Sequence, residues 1–396
     1  MLAVFVGFIA MGMALPVVPR HVHDTLGMST LGVGVVMGSQ YLSSILLGRG
    51  WSGAVTDGRG PKPAMLMGLL GVAGVGTVYL VSLAVVERPS LSLGLLIAAR
   101  LCTGVAEPFI ITSALSWGIA RLGPQHAGKV IGWVGVALFA AYGFGAPAGA
   151  WVYARYGFAG VAFATLAVPL GALVLAWRLR GETPLTGGAV RPPFHKVLGF
   201  VKLPGLALTF SSFGYAAINA FVVLLFVQRG WGNAALAFTS LGAGFILARL
   251  LAGHLPDKLG GAQVGLASVL VLGLGQLSIW GAPGALLACM GAALTGAGYA
   301  LAFQGFGVEA IRLAPPQSRG AAMGGYVVFQ DLSMGLAGPV GGWLALHAGV
   351  DAVYLAGGIG AFISAALAAA MMRQRGTAEV TLASLQDVDA PRRPPA

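Results

Sequence analysis

The sequence predicts an all-α membrane protein with twelve transmembrane helices in two pseudo-symmetric halves of six. Three observations carry this prediction. First, of 396 residues 57% are hydrophobic and only 9% charged, with a mean hydropathy of +0.85, whereas an average soluble domain carries about 25% charged residues. Second, the apolar residues fall into twelve runs that approach or exceed the roughly 20 residues a spanning helix needs. Third, Arg49, Gly53, Asp57 and Gly60 recur as Arg249, Gly253, Asp257 and Gly260, all at an offset of 200. Four matches at one offset mark an internal repeat.

In chain order the predicted spans, α1 to α12, are 1–18, 31–52, 63–86, 91–118, 130–153, 158–177, 200–226, 235–253, 262–281, 284–307, 320–344 and 351–372. None alternates as a transmembrane β-strand does. The first span lacks a charged n-region and a small-residue cleavage site and is followed by eleven more, so it reads as a helix rather than a signal peptide. A short N-terminal leader ahead of Met1 is left open. Between α2 and α3, Arg49 to Pro63 reads as a polar, Gly/Pro-rich hinge. The longest internal linker, 178–199, divides the helices six and six, giving halves at 1–177 and 200–375. Residues 376–396 have too little apolar content to pack and read as a disordered tail.

The repeat continues at an offset of 192. Thr103 and Gly104 match Thr295 and Gly296; Pro124, Gln125 and Gly128 match Pro316, Gln317 and Gly320; Pro147 and Gly149 match Pro339 and Gly341. An even number of helices per half sends both halves into the membrane the same way, so the repeats are parallel.

The formal charge of +11 raises nucleic acid as a partner only until the basic residues are placed. With α1 running outward, 18 of the 23 Lys and Arg lie on or beside the inner side, four (Arg20, Arg88, Arg155, Arg229) lie outside, and Arg100 remains within the membrane. That bias places both termini on the cytoplasmic side. Cys102 and Cys289 sit in apolar runs and read as small buried hydrophobes, not a disulfide. No GxxxxGK[ST] motif is present, so neither ATP-driven pumping nor any other cofactor is implied.

The chain resembles the major facilitator superfamily over essentially its whole length. Gly53-Ala-Val-Thr-Asp57-Gly-Arg59-Gly60-Pro-Lys62 is similar to the family's signature loop between helices 2 and 3, departing at Gly58 and Pro61, where basic residues are usual. Arg100-Leu-Cys-Thr-Gly104 resembles the helix 4 signature, with Thr103 in place of Gln, and Gly143-Phe-Gly145-Ala-Pro147-Ala-Gly149 resembles the helix 5 motif of antiporters. ALPVVPRHVHD, SQYLSSILLGR and YVVFQDLSMGLAGP look like the YhhS/YfcJ, arabinose-efflux-like group. The resemblance implies a proton-driven exporter of small molecules, with substrate bound between the halves. It also implies that Asp57 latches onto the start of α11 near Gly320 to Gly324, where the helix dipole favours a carboxylate. Arg59 or Arg49 would exchange partners on opening, and Asp257 with Arg249 would form the counterpart facing α5 near Gly128.

Charged residues in the spans are the candidates for coupling. Arg100 and Glu107 lie seven residues apart on α4, on one face and ~10 Å apart along the axis. They read either as a structural ion pair or as a protonatable carboxyl tuned by an arginine that also binds an anionic group. Asp331, near the middle of α11 with Gln330 and Ser333 beside it, reads as a second proton carrier or as a buried hydrogen-bonding Asp. Glu309 reads as an exposed salt bridge to Arg312. Gln40, Tyr41, Tyr215, Asn219, Gln304 and Gln330 are candidates for the substrate cavity or for interhelical hydrogen bonds. Gly145, Pro147 and Gly149 in α5, with Gly338 and Pro339 in α11, mark close packing, kinks that let helices gate, or both. His21 and His23 beside Asp24 read as surface rather than as a metal site. The sequence thus predicts a monomeric transporter whose partners are protons, the lipid bilayer and a small-molecule substrate, neutral, amphipathic or sugar-like. An enzyme would need a clustered nucleophile, metal set or acid pair.

Overall fold

Residues 2–123, 126–178, 181–182, 194–314 and 319–388 are described by a computed structural model, and no strand occurs among them. The helices are α1 Leu2–Thr25, α2 Thr30–Arg59, α3 Pro61–Ala84 and α4 Pro89–Leu122. A continuous helix Ala127–Trp177 is broken at Gly157 (φ 65°, ψ −163°) into α5 (127–156) and α6 (158–177). The second half holds α7 Phe194–Gln228, α8 Ala235–Ala252, α9 Gly261–Trp280, α10 Ala285–Leu313, α11 Arg319–Ala348 and α12 Asp351–Val388. Among the described residues, ten helical stretches are long and apolar enough to cross a membrane. The α5–α6 pair counts as one of them, and α11 falls short because Gln330, Asp331 and its Gly/Pro-rich second half interrupt the apolar run.

Three boundaries differ from expectation. The Arg49–Pro63 stretch is not an open hinge: α2 stays helical to Arg59, since no proline interrupts Arg49–Arg59, and the chain turns only at Gly60. Gly60 (φ 94°, ψ 167°) and its repeat mate Gly260 (φ 97°, ψ 143°) end their helices in the same left-handed conformation, which glycine adopts without steric cost. In the linker, α7 already begins at Phe194. At the other end α12 runs on to Val388, through much of the expected tail, where Ala, Leu, Glu and Gln favour helix.

The halves meet along two seams that the repeat relates. On one, glycines bring α2 and α11 into backbone contact: a Cβ on Gly34 would collide with the Gly338 carbonyl, and one on Gly342 would lie 2.5 Å from the Thr30 carbonyl. Such small-residue faces let helices approach where lipid supplies no hydrophobic drive. On the other seam, Thr239 of α8 donates to the Gly143 carbonyl of α5 at 2.8 Å, and Phe139 stacks on Phe245. Gly145 and Gly149 instead seat α5 against α1 within the first half.

Candidate functional site

At the junction of the halves, one cavity is lined by Met11 and Leu15 of α1, Gln40 and Tyr41 of α2, Arg100, Thr103 and Glu107 of α4, Tyr142 of α5, and Tyr215 and Asn219 of α7. Both halves contribute. The α2–α4 wall is set by Gly104, whose close approach leaves its Cα against the Gln40 carbonyl, and by Ser43, which donates to the Leu101 carbonyl at 2.7 Å. Pro108 leaves α4 unbroken. It removes the donor that the Gly104 carbonyl would otherwise accept, and Gly48 of α2 packs against that carbonyl.

Arg100 is 3% exposed. It lies beside the Tyr79 hydroxyl, and its Nε is buried without a partner, as is Gln40 Oε1. Among the described residues Glu107 forms no ion pair and no hydrogen bond, so Arg100 and Glu107 share a cavity without bonding each other. Buried polar atoms are rarely left unmatched. An unmatched donor and an unmatched acceptor on residues that line one cavity are groups suited to a ligand. In this state the cavity offers about 10 Å³ to the centre of a water-sized sphere, room for about one water.

Asp331 is 3% exposed and bonds a neighbouring helix. Arg49 of α2 reaches across the seam and grips both carboxylate oxygens, with Nη2–Oδ1 at 2.8 Å. The Ser44 hydroxyl donates to Oδ2 at 3.1 Å. Ser44–Gly48 is a π-helical stretch; such bulges re-aim the residues that follow, here Arg49. Asp331 therefore has a dedicated inter-half partner, in line with the buried hydrogen-bonding alternative of the sequence reading.

The repeat mate of Arg49 behaves otherwise. Arg249 donates to Gln304 Oε1 at 3.1 Å within its own half, and Gln304 Nε2 donates to the Gly253 carbonyl at 2.7 Å. Gln304 thus follows its interhelical hydrogen-bond reading: it ties α8 to α10 and is not among the residues lining the cavity. Gln330, whose amide faces Met334 Sδ at 3.9 Å, does not line it either. The offset of 192 explains the asymmetry, because the position equivalent to Asp331 is Phe139, so Arg249 has no carboxylate to meet.

Glu309 is a correction to expectation. It is 1% exposed, bonds Arg312 at 3.0 Å, and accepts the Ala262 N–H at 3.0 Å in the first turn of α9. A carboxylate there is favoured by the helix dipole. His21 is 2% exposed and stacked on Phe158, not a surface residue. Asp57 and Arg59 close α2. The contact expected for Asp57 begins at Gly320, and that for Asp257 at Gly128; the side-chain surroundings of both lie outside the described residues. Tyr142 was not foreseen; its signal was a polar aromatic beside the Gly143 motif.

A family model described as Major Facilitator Superfamily matches residues 1–285 and 205–395. The chain belongs to the Major Facilitator Superfamily. Uncharacterized major-facilitator-type transporters are similar along nearly all of it. One from Pseudomonas aeruginosa is 39% identical over 93% of this chain and 91% of its own. One from Salmonella typhimurium is 37% identical over 94% and 95%, and one from Burkholderia pseudomallei 38% over 94% and 90%. Among solved structures, a D-xylose–proton symporter superposes with a TM-score of 0.73 at 17% identity, covering 93% of this chain and 96% of that one. A bacterial homologue of the lysosomal transporter Spinster gives 0.68 at 13%, covering 93% and 94%. These likenesses establish the major facilitator fold of a multi-pass membrane transporter.

Proposed function

We propose that this transporter is a proton-coupled antiporter that exports a small molecule by alternating access, from a bacterial inner membrane with both termini in the cytoplasm. The reading rests on one observation: Arg100 and Glu107 share a cavity lined from both halves without neutralising one another directly. Glu107 is the group that takes and releases the proton. Arg100 holds the substrate and sets the charge balance.

A carboxyl at membrane depth costs at least ~2.5 kcal/mol on insertion scales, so a solitary one without function is disfavoured. One charge moving through 100 mV supplies ~2.3 kcal/mol, enough to bias rocking of the halves. The Arg49–Asp331 pair acts as a latch across the α2–α11 seam, with Asp57 and Arg59 at the end of α2 and Asp257 beyond the end of α8 completing it, while Arg249 is held by Gln304 within its own half. Gly145, Pro147, Gly149, Gly338 and Pro339 let α5 and α11 bend as the cavity opens. The resemblance to arabinose-efflux-like transporters and the antiporter-type stretch in α5 support export.

The test is accumulation of fluorescent drugs and labelled sugars in cells expressing the protein, with and without a protonophore. Export predicts lowered accumulation that the protonophore and Glu107→Gln both restore. Raised, protonophore-sensitive accumulation would replace export with proton symport.

A further inference from the structure

We propose that the substrate is a small dipolar ion, its anionic end held by Arg100 and its cationic end by Glu107 and Gln40 among the cavity tyrosines. This rests on the transporter reading above and names the chemistry of its site. Arg49 and Asp331 neutralise each other across the seam, outside the cavity lining. The cavity itself then holds one fixed cation, Arg100, and one carboxyl, Glu107.

Its unmatched atoms are of opposite kinds. Arg100 Nε is a buried donor seeking an acceptor, and Gln40 Oε1 is a buried acceptor seeking a donor. A carboxylate, phosphonate or sulfonate satisfies the first. An ammonium satisfies the second and Glu107, with the faces of Tyr41, Tyr142 and Tyr215 available to it through cation–π contact.

Charge bookkeeping narrows the class. With Glu107 ionised, a monoanion would leave the cavity at −1 and a monocation at +1, each unscreened in a site removed from water. A dipolar ion leaves it neutral and meets both groups at once. Arg100 and Glu107 stand seven residues apart on α4, ~10 Å along the axis, which suits a ligand with separated charges, as in an ω-amino acid.

Protonating Glu107 withdraws the cationic end's partner, so proton and substrate exclude one another. That exclusion is what exchange requires. The other groups within electrostatic reach of Glu107 are Arg100 on its own helix, Arg49 and Tyr41 from α2, Tyr142 from α5, Tyr215 from α7 and Asp331 from α11. The near-filled cavity means that loading occurs when the halves part.

The test uses the purified full-length protein in nanodiscs and a four-carbon series: γ-aminobutyrate, butyrate, butylammonium and 1-butanol. Binding is read from the thermal midpoint against concentration at pH 8 and pH 5.5, where γ-aminobutyrate stays dipolar. We expect γ-aminobutyrate to bind at least tenfold more tightly than the other three, and more weakly at pH 5.5. Glu107→Gln leaves one fixed cation and should reverse the preference toward butyrate; Arg100→Gln should reverse it toward butylammonium. Those opposite reversals separate a charge-matched site from misfolding. Preference for a singly charged member or butanol, or binding of no member, overturns the proposal. Protonophore-sensitive flux of a drug or sugar alongside that result would leave the transporter reading intact, whereas absence of any proton-coupled flux would remove that reading itself.

Discussion

Removing Arg49 should do more damage than removing Asp331, although the two form one pair. The Asp331 side chain is 5% exposed and that of Arg49 32%. Deleting one partner of a buried pair costs about 3–5 kcal/mol, because an uncompensated charge is left behind. In Arg49→Ala the stranded group is Asp331, with only the Ser44 hydroxyl at 3.1 Å as donor. Left ionised, it should cost close to that full amount. In Asp331→Asn the stranded Arg49 is a third exposed and can turn to water, so the cost falls to about 1 kcal/mol.

Because the pair crosses between halves, the loss falls on the balance between conformations as well as on stability. A 2 kcal/mol change shifts a two-state ratio roughly thirtyfold. The assay is reactivity of single cysteines placed at the two ends of the cavity, measured in membranes, together with thermal unfolding in detergent. Replacing both partners by apolar residues should recover most of the loss, since neither charge is then stranded. Equal effects of the two single substitutions, or unchanged cysteine reactivity in both, would refute the latch.

Further outcomes follow from the same geometry. Glu107→Gln should abolish flux driven by a pH gradient, which transport into proteoliposomes with an imposed gradient measures. Gly338→Ala should destabilise by about 1–3 kcal/mol through overpacking, because Gly338 meets the Gly34 carbonyl, whereas Gly50→Ala, with open space around it, should be near neutral; both are read by thermal unfolding. Glu309→Ala should cost about 1–3 kcal/mol by leaving the Ala262 N–H unsatisfied. Arg249→Ala should leave proton-coupled flux close to wild type, because its partner Gln304 lies within the same half.

Much of this was legible in the sequence because it depends on local composition. The spans follow from apolar length, and the repeat follows from Arg49, Asp57 and Gly60 with their mates. Six cavity residues, Gln40, Tyr41, Arg100, Glu107, Tyr215 and Asn219, stand out as rare polar groups in apolar runs, and the structure brings all six together. What composition leaves open is which helices touch. Arg49 meets Asp331 across 282 positions, through the α2–α11 seam and a π-helical stretch that no composition announces. Gln304 looked like a cavity residue for the same reason as Gln40, but Arg249 on the neighbouring helix claims it. Glu309 looked exposed because Arg312 follows one turn later, while the first turn of α9, which buries it, lies 47 positions away.

The most direct measurement of the central claim is pH-gradient dissipation in proteoliposomes holding the full-length wild type or Glu107→Gln, challenged with the drug, sugar and ω-amino-acid panel. The account predicts substrate-dependent proton movement, opposite to substrate flux, in the wild type and none in the variant. Equal proton movement in the two proteins would contradict it.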